Sequence, residues 1–291
     1  MKPFADHTKI YIQRFHPNAE NPTTGGSKDT NGDKHEEYLT TILSSTNYFE
    51  RHIDTDILYQ NAIDFQIQGD YMFVTSERVD QTSKKKHLEL KISQHGQRFV
   101  PAVFDVGASN SPMGGSPSDN KLDEIDYHII DVTDDGEVIV VVNHGKVLSN
   151  LYVSARITPY EVKFVLSLER VMFYSPEITW KNSWLSNTAG DKPFADVYKV
   201  QGLRGIYIAS QITTDYYAEN KDKEHGIPAP TPDHLKSLIS FNQGGEWREV
   251  LPPTYDEEGH ELPCNRETNK KCSLHISQIF SRLDNYALGL L

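Results

Sequence analysis

The chain has 291 residues, room for one large β domain or two ordinary ones. Its 41 acidic and 29 basic residues leave a net charge of −12. That is the wrong sign for gripping a phosphate backbone or an anionic membrane surface, so nucleic acids and lipid surfaces are set aside as partners.

In chain order, the opening M-K-P-F-A-D-H-T lacks the apolar core of a signal peptide. The longest purely apolar run, Val138 to Val142, is far below the roughly 20 residues of a bilayer span. Taken literally, these features describe a soluble cytosolic protein; the alternative is a piece of a longer product with both ends missing. Four segments then open on an Asp and alternate like strands, starting at Ala5, Ile63, Ile125 and Ala195. Their aspartates, Asp6, Asp64, Asp126 and Asp196, recur roughly every 60 residues. Each segment is followed by a hairpin candidate in which a Ser closes a β-rich run and an aromatic comes a few residues later. These lie around Ser45, Ser93, Ser154 and Ser240.

A unit of roughly 60 residues with four strands is one propeller blade. The predicted fold is all-β, a partial β-propeller with blades at residues 5–62, 63–124, 125–194 and 195–262 and the start of another at 263–291. Polar stretches at 18–37, 107–120 and 217–233 read as loops rather than interdomain linkers. Lys84-Lys85-Lys86 reads as a solvated charge run. Half a propeller would expose sheet edges, so the economical reading is a piece of a larger ring.

The Ser237–Trp247 stretch, S-L-I-S-F-N-Q-G-G-E-W, is the most complete of the four hairpins. Asn242 suits a turn because its side chain can bond nearby backbone N–H groups, and Gly244 and Gly245 supply positive φ without steric cost. Ser240 can tie back to the same turn, and Trp247 covers it with a large apolar face. The pattern resembles the Asp-box, Ser-x-Asp-x-Gly-x-x-Trp, with Asn242 in the Asp place. That motif marks propeller hairpins in sialidases, some glycosidases and sortilin-type receptors, and it describes architecture, not chemistry.

Chemistry-bearing constellations are sparse. Ser109, Ser111 and Ser116 sit in a low-complexity loop without a G-x-S-x-G elbow, and the 12 histidines form no H-E-x-x-H or i, i+4 pair. Arg78, Arg156, Arg170, Arg204 and Arg248 read first as surface arginines, and Asp134-Asp135 and Glu257-Glu258 as turn acids. Two cysteines, Cys264 and Cys272, are too few for a tetrahedral zinc site. They are either unrelated thiols or a loop-closing disulfide, which would stabilise by roughly 2–3 kcal/mol. No N-x-Ser/Thr sequon is present.

Several segments together carry a specific resemblance. They include I-Y-I-Q-R-F from Ile10, D-F-Q-I-Q-G-D-Y-M-F from Asp64, N-L-Y-V-S from Asn150 and L-S-L-E-R from Leu166. Further on come P-F-A-D-V-Y-K-V-Q-G-L-R-G-I-Y-I-A-S from Pro193, L-I-S-F-N-Q-G-G-E-W from Leu238 and C-S-L-H-I from Cys272. From about Ile10 to about Leu283 the chain resembles the sortilin family of sorting receptors, within it the sortilin-related type, whose shared region is the vacuolar-protein-sorting-ten domain. The resemblance implies the central part of a ten-bladed propeller on the lumenal or extracellular side of a single-pass membrane receptor that moves between Golgi, endosomes and cell surface. It implies a non-enzymatic protein that binds peptide or protein ligands in its tunnel, propeptides and neuropeptide-like C-termini among them, with no cofactor and no metal. By match to the family's Ser-Leu-Asp-Arg segment, Arg170 is the candidate anchor for a ligand carboxylate, with Phe164 and Ser167 beside it. The family's cysteine pairing before S-L-H implies a Cys264–Cys272 disulfide. The membrane would be reached only through regions absent from this chain. The competing readings are a propeller glycoside hydrolase or sialidase-like enzyme, with carboxylates facing across a cleft, and a truncated product with no activity of its own.

Overall fold

The computed structural model describes residues 10–17, 38–46, 55–79, 86–105, 124–145, 148–174, 193–220, 227–264, 272–274 and 276. More than half of these residues are strand and almost none are helix, so the fold is all-β. The chain divides into two compact units. One takes the residues up to Val103 together with Ile157–Val162, the other Phe104–Arg156 and everything from Lys163 on.

The first unit is an antiparallel meander in chain order: β1 (Ile10–Pro17), β2 (Tyr38–Ser45), β3 (Thr55–Gln68), β4 (Tyr71–Val79) and β5 (Lys86–Gln94). The start of β6 (Val100–Asp105) pairs with β5 through Ile92 and Val100. The long strand β3 serves two hairpins. Its first half pairs with β2 and its second half with β4, and Ala62 is paired on both sides. Next to that handover Asn61 takes a left-handed backbone (φ 58°), and the register slips between Ala62 and Asp64. The expected boundary between residues 62 and 63 therefore falls inside a strand, at its bend. The boundary at 194 and 195 likewise falls inside a short strand, Phe194–Ala195.

The second unit holds two four-stranded antiparallel sheets. The first runs β7 (Asp126–Val132), β8 (Val138–Asn143), β9 (Ser149–Ile157) and β10 (Val162–Leu168). The second runs β13 (Val197–Lys199), β14 (Tyr207–Ile212), β15 (Leu235–Ser240) and β16 (Arg248–Glu249). Between them a two-stranded ladder joins β11 (Phe173–Tyr174) to β12 (Phe194–Ala195).

Burial follows the sequence pattern. Strand β7 alternates, burying Tyr127 and Ile129, whereas β8, V-I-V-V-V-N, and β14, Y-I-A-S-Q-I, are buried at every position. A continuous apolar run is the mark of a strand covered on both faces. Ile139 and Val141 of β8, Leu151 of β9, Tyr207 and Ala209 of β14 and Leu238 of β15 share one core, with Trp247 packed against it. Burying side chains of this size stabilises by roughly 1.5–3 kcal/mol each before entropy is counted.

Two differences from the sequence reading stand out. The polar stretch 217–233 was expected as loop, but its first residues end a helix, α1 (Thr214–Asn220). Tyr216 and Tyr217 are buried in a core with Met172, Tyr174 and Phe194, which holds the helix down despite its polar sequence. The recurring aspartates are also unlike one another: Asp64 is exposed, while Asp196 is buried and its backbone bridges Met172 and Ser210. Lys86 enters β5, and Lys84, Lys85 and the stretches 18–37 and 107–120 lie outside the described residues.

Candidate functional site

The Ser240–Trp247 turn is built from interlocking hydrogen bonds. The Ser240 hydroxyl accepts from the backbone N–H of Gly244 (2.9 Å) and of Asn242 (3.4 Å) and donates to Asn242 Oδ1 (3.1 Å). Asn242 Oδ1 accepts in turn from Glu246 N–H (2.8 Å). Gly244 has φ 85°, and a Cβ there would sit 3.1 Å from Ser167 Oγ and 3.3 Å from Val153, so the position requires glycine twice over. Gly245, against the sequence expectation, does not have a positive φ, whereas Gln243 does (59°); a Cβ at Gly245 would meet the Asn242 side chain at 3.1 Å.

Ser167, on β10, is drawn into this turn. Its hydroxyl donates to the Gly244 carbonyl and accepts from the Trp247 indole N–H (3.0 Å). It thus joins β10 to the neighbouring sheet. The turn also reaches the acids between β7 and β8: Asp135 accepts from Gln243 (3.2 Å) and from Arg204 (2.6 Å). Those two hydrogen bonds, Gln243's first, hold the Asp135 carboxyl below the usual carboxylate range. Asp134 and Asp135 are turn acids in the structure as in the sequence.

Three residues after Ser167 the chain sets up a different feature. Leu168 and Val171 turn into the core, which leaves Glu169 and Arg170 on the outer side. Arg170 is held in the left-handed region (φ 56°), unusual for a non-glycine residue. Its N–H donates to Asn150 Oδ1 (3.0 Å) and its carbonyl accepts from Ile212 N–H (2.8 Å), so both backbone ends are fixed. The guanidinium bonds Glu169 through Nη1 (2.9 Å) and the Ile212 carbonyl through Nε (3.3 Å). Nη2 has no partner among the described residues.

Arg170 borders an open cavity of about 220 Å³. The other walls come from Thr213 and Thr214 at the start of α1, from Asp233, from Leu235 and Lys236 of β15, from Glu249 of β16 and from Ser273, so two acids line it as well as two cations. Lys236 pairs loosely with Glu249 (3.8 Å), so the two cations of the cavity each already face one carboxylate. A ligand carboxylate would displace Glu169 or take the free Nη2. Under this site Tyr217 is buried; desolvation pushes its phenol up, with the charge of Arg170 opposing.

The sequence-predicted residues are therefore only partly together. Ser167 belongs to the turn, not the cavity. Phe164 is fully buried and its ring stacks on Phe104 with centroids 4.9 Å apart, so the face expected to flank a ligand is occupied by the protein's own core. Thr213, Lys236, Glu249 and Ser273 come from distant parts of the chain, and no local signal marks them.

Cys264 and Cys272 are joined, with Cα atoms 5.5 Å apart. Just beyond Cys272, Ser273 donates to the Leu235 carbonyl (2.9 Å), and the Ser237 hydroxyl accepts from Ile276 N–H (2.6 Å). The disulfide thus anchors a strap laid along β15, and that strap carries Ser273 into the cavity wall.

Residues 5–289 match the sequence profile of the Sortilin-Vps10 family, described as sortilin, neurotensin receptor 3. The chain belongs to the Sortilin-Vps10 family. It is 30% identical over 257 residues to the sortilin-related receptor of Mus musculus, a match covering 88% of this chain and 10% of that one. It is 24% identical over 244 residues to the vacuolar protein sorting/targeting protein PEP1 of Saccharomyces cerevisiae, covering 84% of this chain and 13% of that one. The chain thus spans about a tenth of the length of the sortilin-related receptors it matches. Among solved structures, a Bombyx mori GH32 beta-fructofuranosidase aligns with a TM-score of 0.30 at 14% identity, covering 88% of this chain and 47% of that one, too low to bear on fold or chemistry. Among the described residues no helix is long and apolar enough to cross a membrane, and no cluster of three metal-ligating side chains occurs.

Proposed function

We propose that this Sortilin-Vps10 chain is a non-enzymatic, ligand-binding part of a sorting receptor, facing the lumen of Golgi and endosomes or the cell exterior. Its two packed four-stranded sheets are read as blades of a ten-bladed propeller, of which the chain supplies four to five, and the Ser240–Trp247 turn as a degenerate Asp-box. The ligands are peptides or proteins, propeptides and neuropeptide-like C-termini among them. Arg170 is the anchor for a ligand carboxylate, with Lys236 adding positive charge and Ser273 a hydroxyl.

The observation that carries this reading is the way Arg170 is held. Its backbone is fixed at both ends in a left-handed conformation, its guanidinium borders a cavity, and one nitrogen is left without a partner. A planar guanidinium with a free donor is suited to receive a carboxylate. Phe164 and Ser167 enter the proposal as supports for the strand that presents Arg170, not as ligand contacts.

The test is binding of a fluorescent peptide with a free C-terminal carboxylate to the full chain and to Arg170→Ala. A charge-assisted hydrogen bond contributes about 1.5–3 kcal/mol, so the variant is expected to bind roughly ten- to a hundredfold more weakly. Unchanged affinity removes Arg170 from the site, and turnover of a glycoside substrate overturns the receptor reading itself.

A further inference from the structure

The first unit contains a cavity of about 350 Å³ that shares no residue with the Arg170 site. It runs across the meander, taking Tyr11 from β1, Ser44 from β2, Ile57 and Tyr59 from β3, Met72 from β4 and Ser93 from β5. Tyr11 and Ser44 are directly paired across their strands, as are Met72 and Ser93. The turn after β5 completes the rim with Gly96 to Phe99.

Its aromatic wall is held in place before any ligand arrives. The Tyr59 hydroxyl is hydrogen-bonded to Ser76 (3.0 Å), its ring meets Phe99 edge-on with centroids 5.2 Å apart, and Lys91 lies over the same ring at 5.5 Å. The rim turn is equally fixed. His95 and Gly96 are both left-handed (φ 52° and 70°), His95 N–H donates to the Asp70 carbonyl (2.8 Å), and the Ser93 hydroxyl donates to the Gln97 carbonyl (2.5 Å).

Two polar groups are left over. Ser44 is 1% exposed, and its hydroxyl has no hydrogen-bond partner among the described residues. A buried hydroxyl in that condition is unfavourable unless something else satisfies it. Arg98, exposed at the rim, has no ion-pair partner among the described residues, in a chain whose net charge is −12. Apolar and aromatic walls with a few convergent polar groups, at the small end of the volume range, are the usual form of a small-ligand site.

We propose that this cavity is a second ligand site, taking a small amphipathic carboxylate. An aryl or branched-alkyl body would lie against Tyr59, Phe99, Ile57 and Met72, the carboxylate would meet Arg98, and a hydrogen-bonding group would satisfy Ser44. The terminal residue of a peptide and a free fatty-acid-like anion share this chemistry.

Saturation-transfer NMR on the full chain, with N-acetylphenylalanine, N-acetylphenylalaninamide and decanoate as probes, tests the site and separates the two sources. With Arg170→Ala as the background throughout, so that the Arg170 cavity does not compete for the carboxylate, N-acetylphenylalanine is expected to bind in the millimolar range, at least fivefold more weakly when Arg98→Gln is added and more weakly when Ser44→Ala is added. The amide is expected to bind more weakly than the acid and to ignore Arg98→Gln. Preference for N-acetylphenylalanine over decanoate assigns the site to a peptide terminus, and the reverse to a free amphiphile. Arg98 is exposed, so its variant keeps the fold. No transfer from any probe in the Arg170→Ala background, or binding undiminished by Arg98→Gln, overturns the proposal.

Discussion

After β15 the hydroxyl of Ser240 receives two backbone N–H groups of its turn, and Trp247 returns to cover the core. After β5 the hydroxyl of Ser93 does the opposite and donates to a carbonyl, while Phe99 returns against Tyr59 and a cavity stays open beside it. Both turns follow a β-rich run closed by Ser and end on an aromatic, yet one is closed and the other hollow. The difference lies in what sits between. Asn242 gives the first turn an acceptor for Glu246 N–H, and Gly244 lets the chain pass within contact of Ser167. Gln94-His95-Gly96 offers neither, and its backbone is held instead by the Asp70 carbonyl of the preceding hairpin.

Side-chain truncation gives the largest expected effect. Trp247→Ala removes a ring packed on the core and the indole donor to Ser167, at a cost of about 3 kcal/mol. Phe99→Ala, which enlarges an existing cavity, is expected to cost about half as much. Denaturant unfolding of the two variants checks this, and equal losses would erase the contrast between closed and hollow turns.

Glycine replacement comes next. Gly69 (φ 58°) has open space where a Cβ would go, so Gly69→Ala should cost only the left-handed penalty of about 1–2 kcal/mol. Gly244→Ala adds crowding against Ser167 and Val153 and is expected to cost more. Thermal unfolding of the pair measures the excess, and a smaller loss for Gly244→Ala would mean that the turn yields at no cost.

The serines sharpen the comparison further. Ser240→Ala strips two N–H groups of their acceptor and is expected to lose about 1 kcal/mol, whereas Ser44→Ala, which removes an unpartnered buried hydroxyl, should leave stability unchanged or raise it. A destabilised Ser44→Ala would show that the hydroxyl already has a partner.

The smallest effect is electrostatic. Asp135 is exposed and held down in pKa by its hydrogen bonds from Gln243 and Arg204. A depressed carboxyl supports the fold above its unfolded value and loses that support as pH falls through its folded one. An NMR titration should therefore find Asp135 below the ordinary range in the native chain, moving up in Arg204→Gln and Gln243→Ala. An ordinary value in the native chain would detach the turn from the β7–β8 acids.

Legibility in the sequence follows the range of the interactions. The Ser240 turn could be read residue by residue because its bonds span four positions or fewer. The all-β class followed from aromatic-rich alternation, whereas V-I-V-V-V, read in the sequence only as too short for a bilayer span, is a strand buried at every position. Helix α1 was hidden because T-D-Y-Y-A-E-N is polar in composition, and only the packing of Tyr216 and Tyr217 pins it. Arg170 was singled out by the match of its segment to the family's Ser-Leu-Asp-Arg, but the cavity it borders was not foreseen, since the walls are brought from Thr213, Lys236, Glu249 and Ser273. Phe164 misled for a related reason: an aromatic on a strand can face a ligand or the core, and Phe104, 60 positions earlier, decides that it faces the core.

The most direct test of Arg170 as the carboxylate anchor is a thermodynamic cycle by titration calorimetry. One peptide is measured with a free C-terminal carboxylate and as its C-terminal amide, against the native chain and Arg170→Gln. If Arg170 receives the carboxylate, amidation should cost about tenfold in affinity on the native chain and almost nothing on the variant, a coupling of about 1.4 kcal/mol. Equal losses on both proteins, with no coupling, would contradict it.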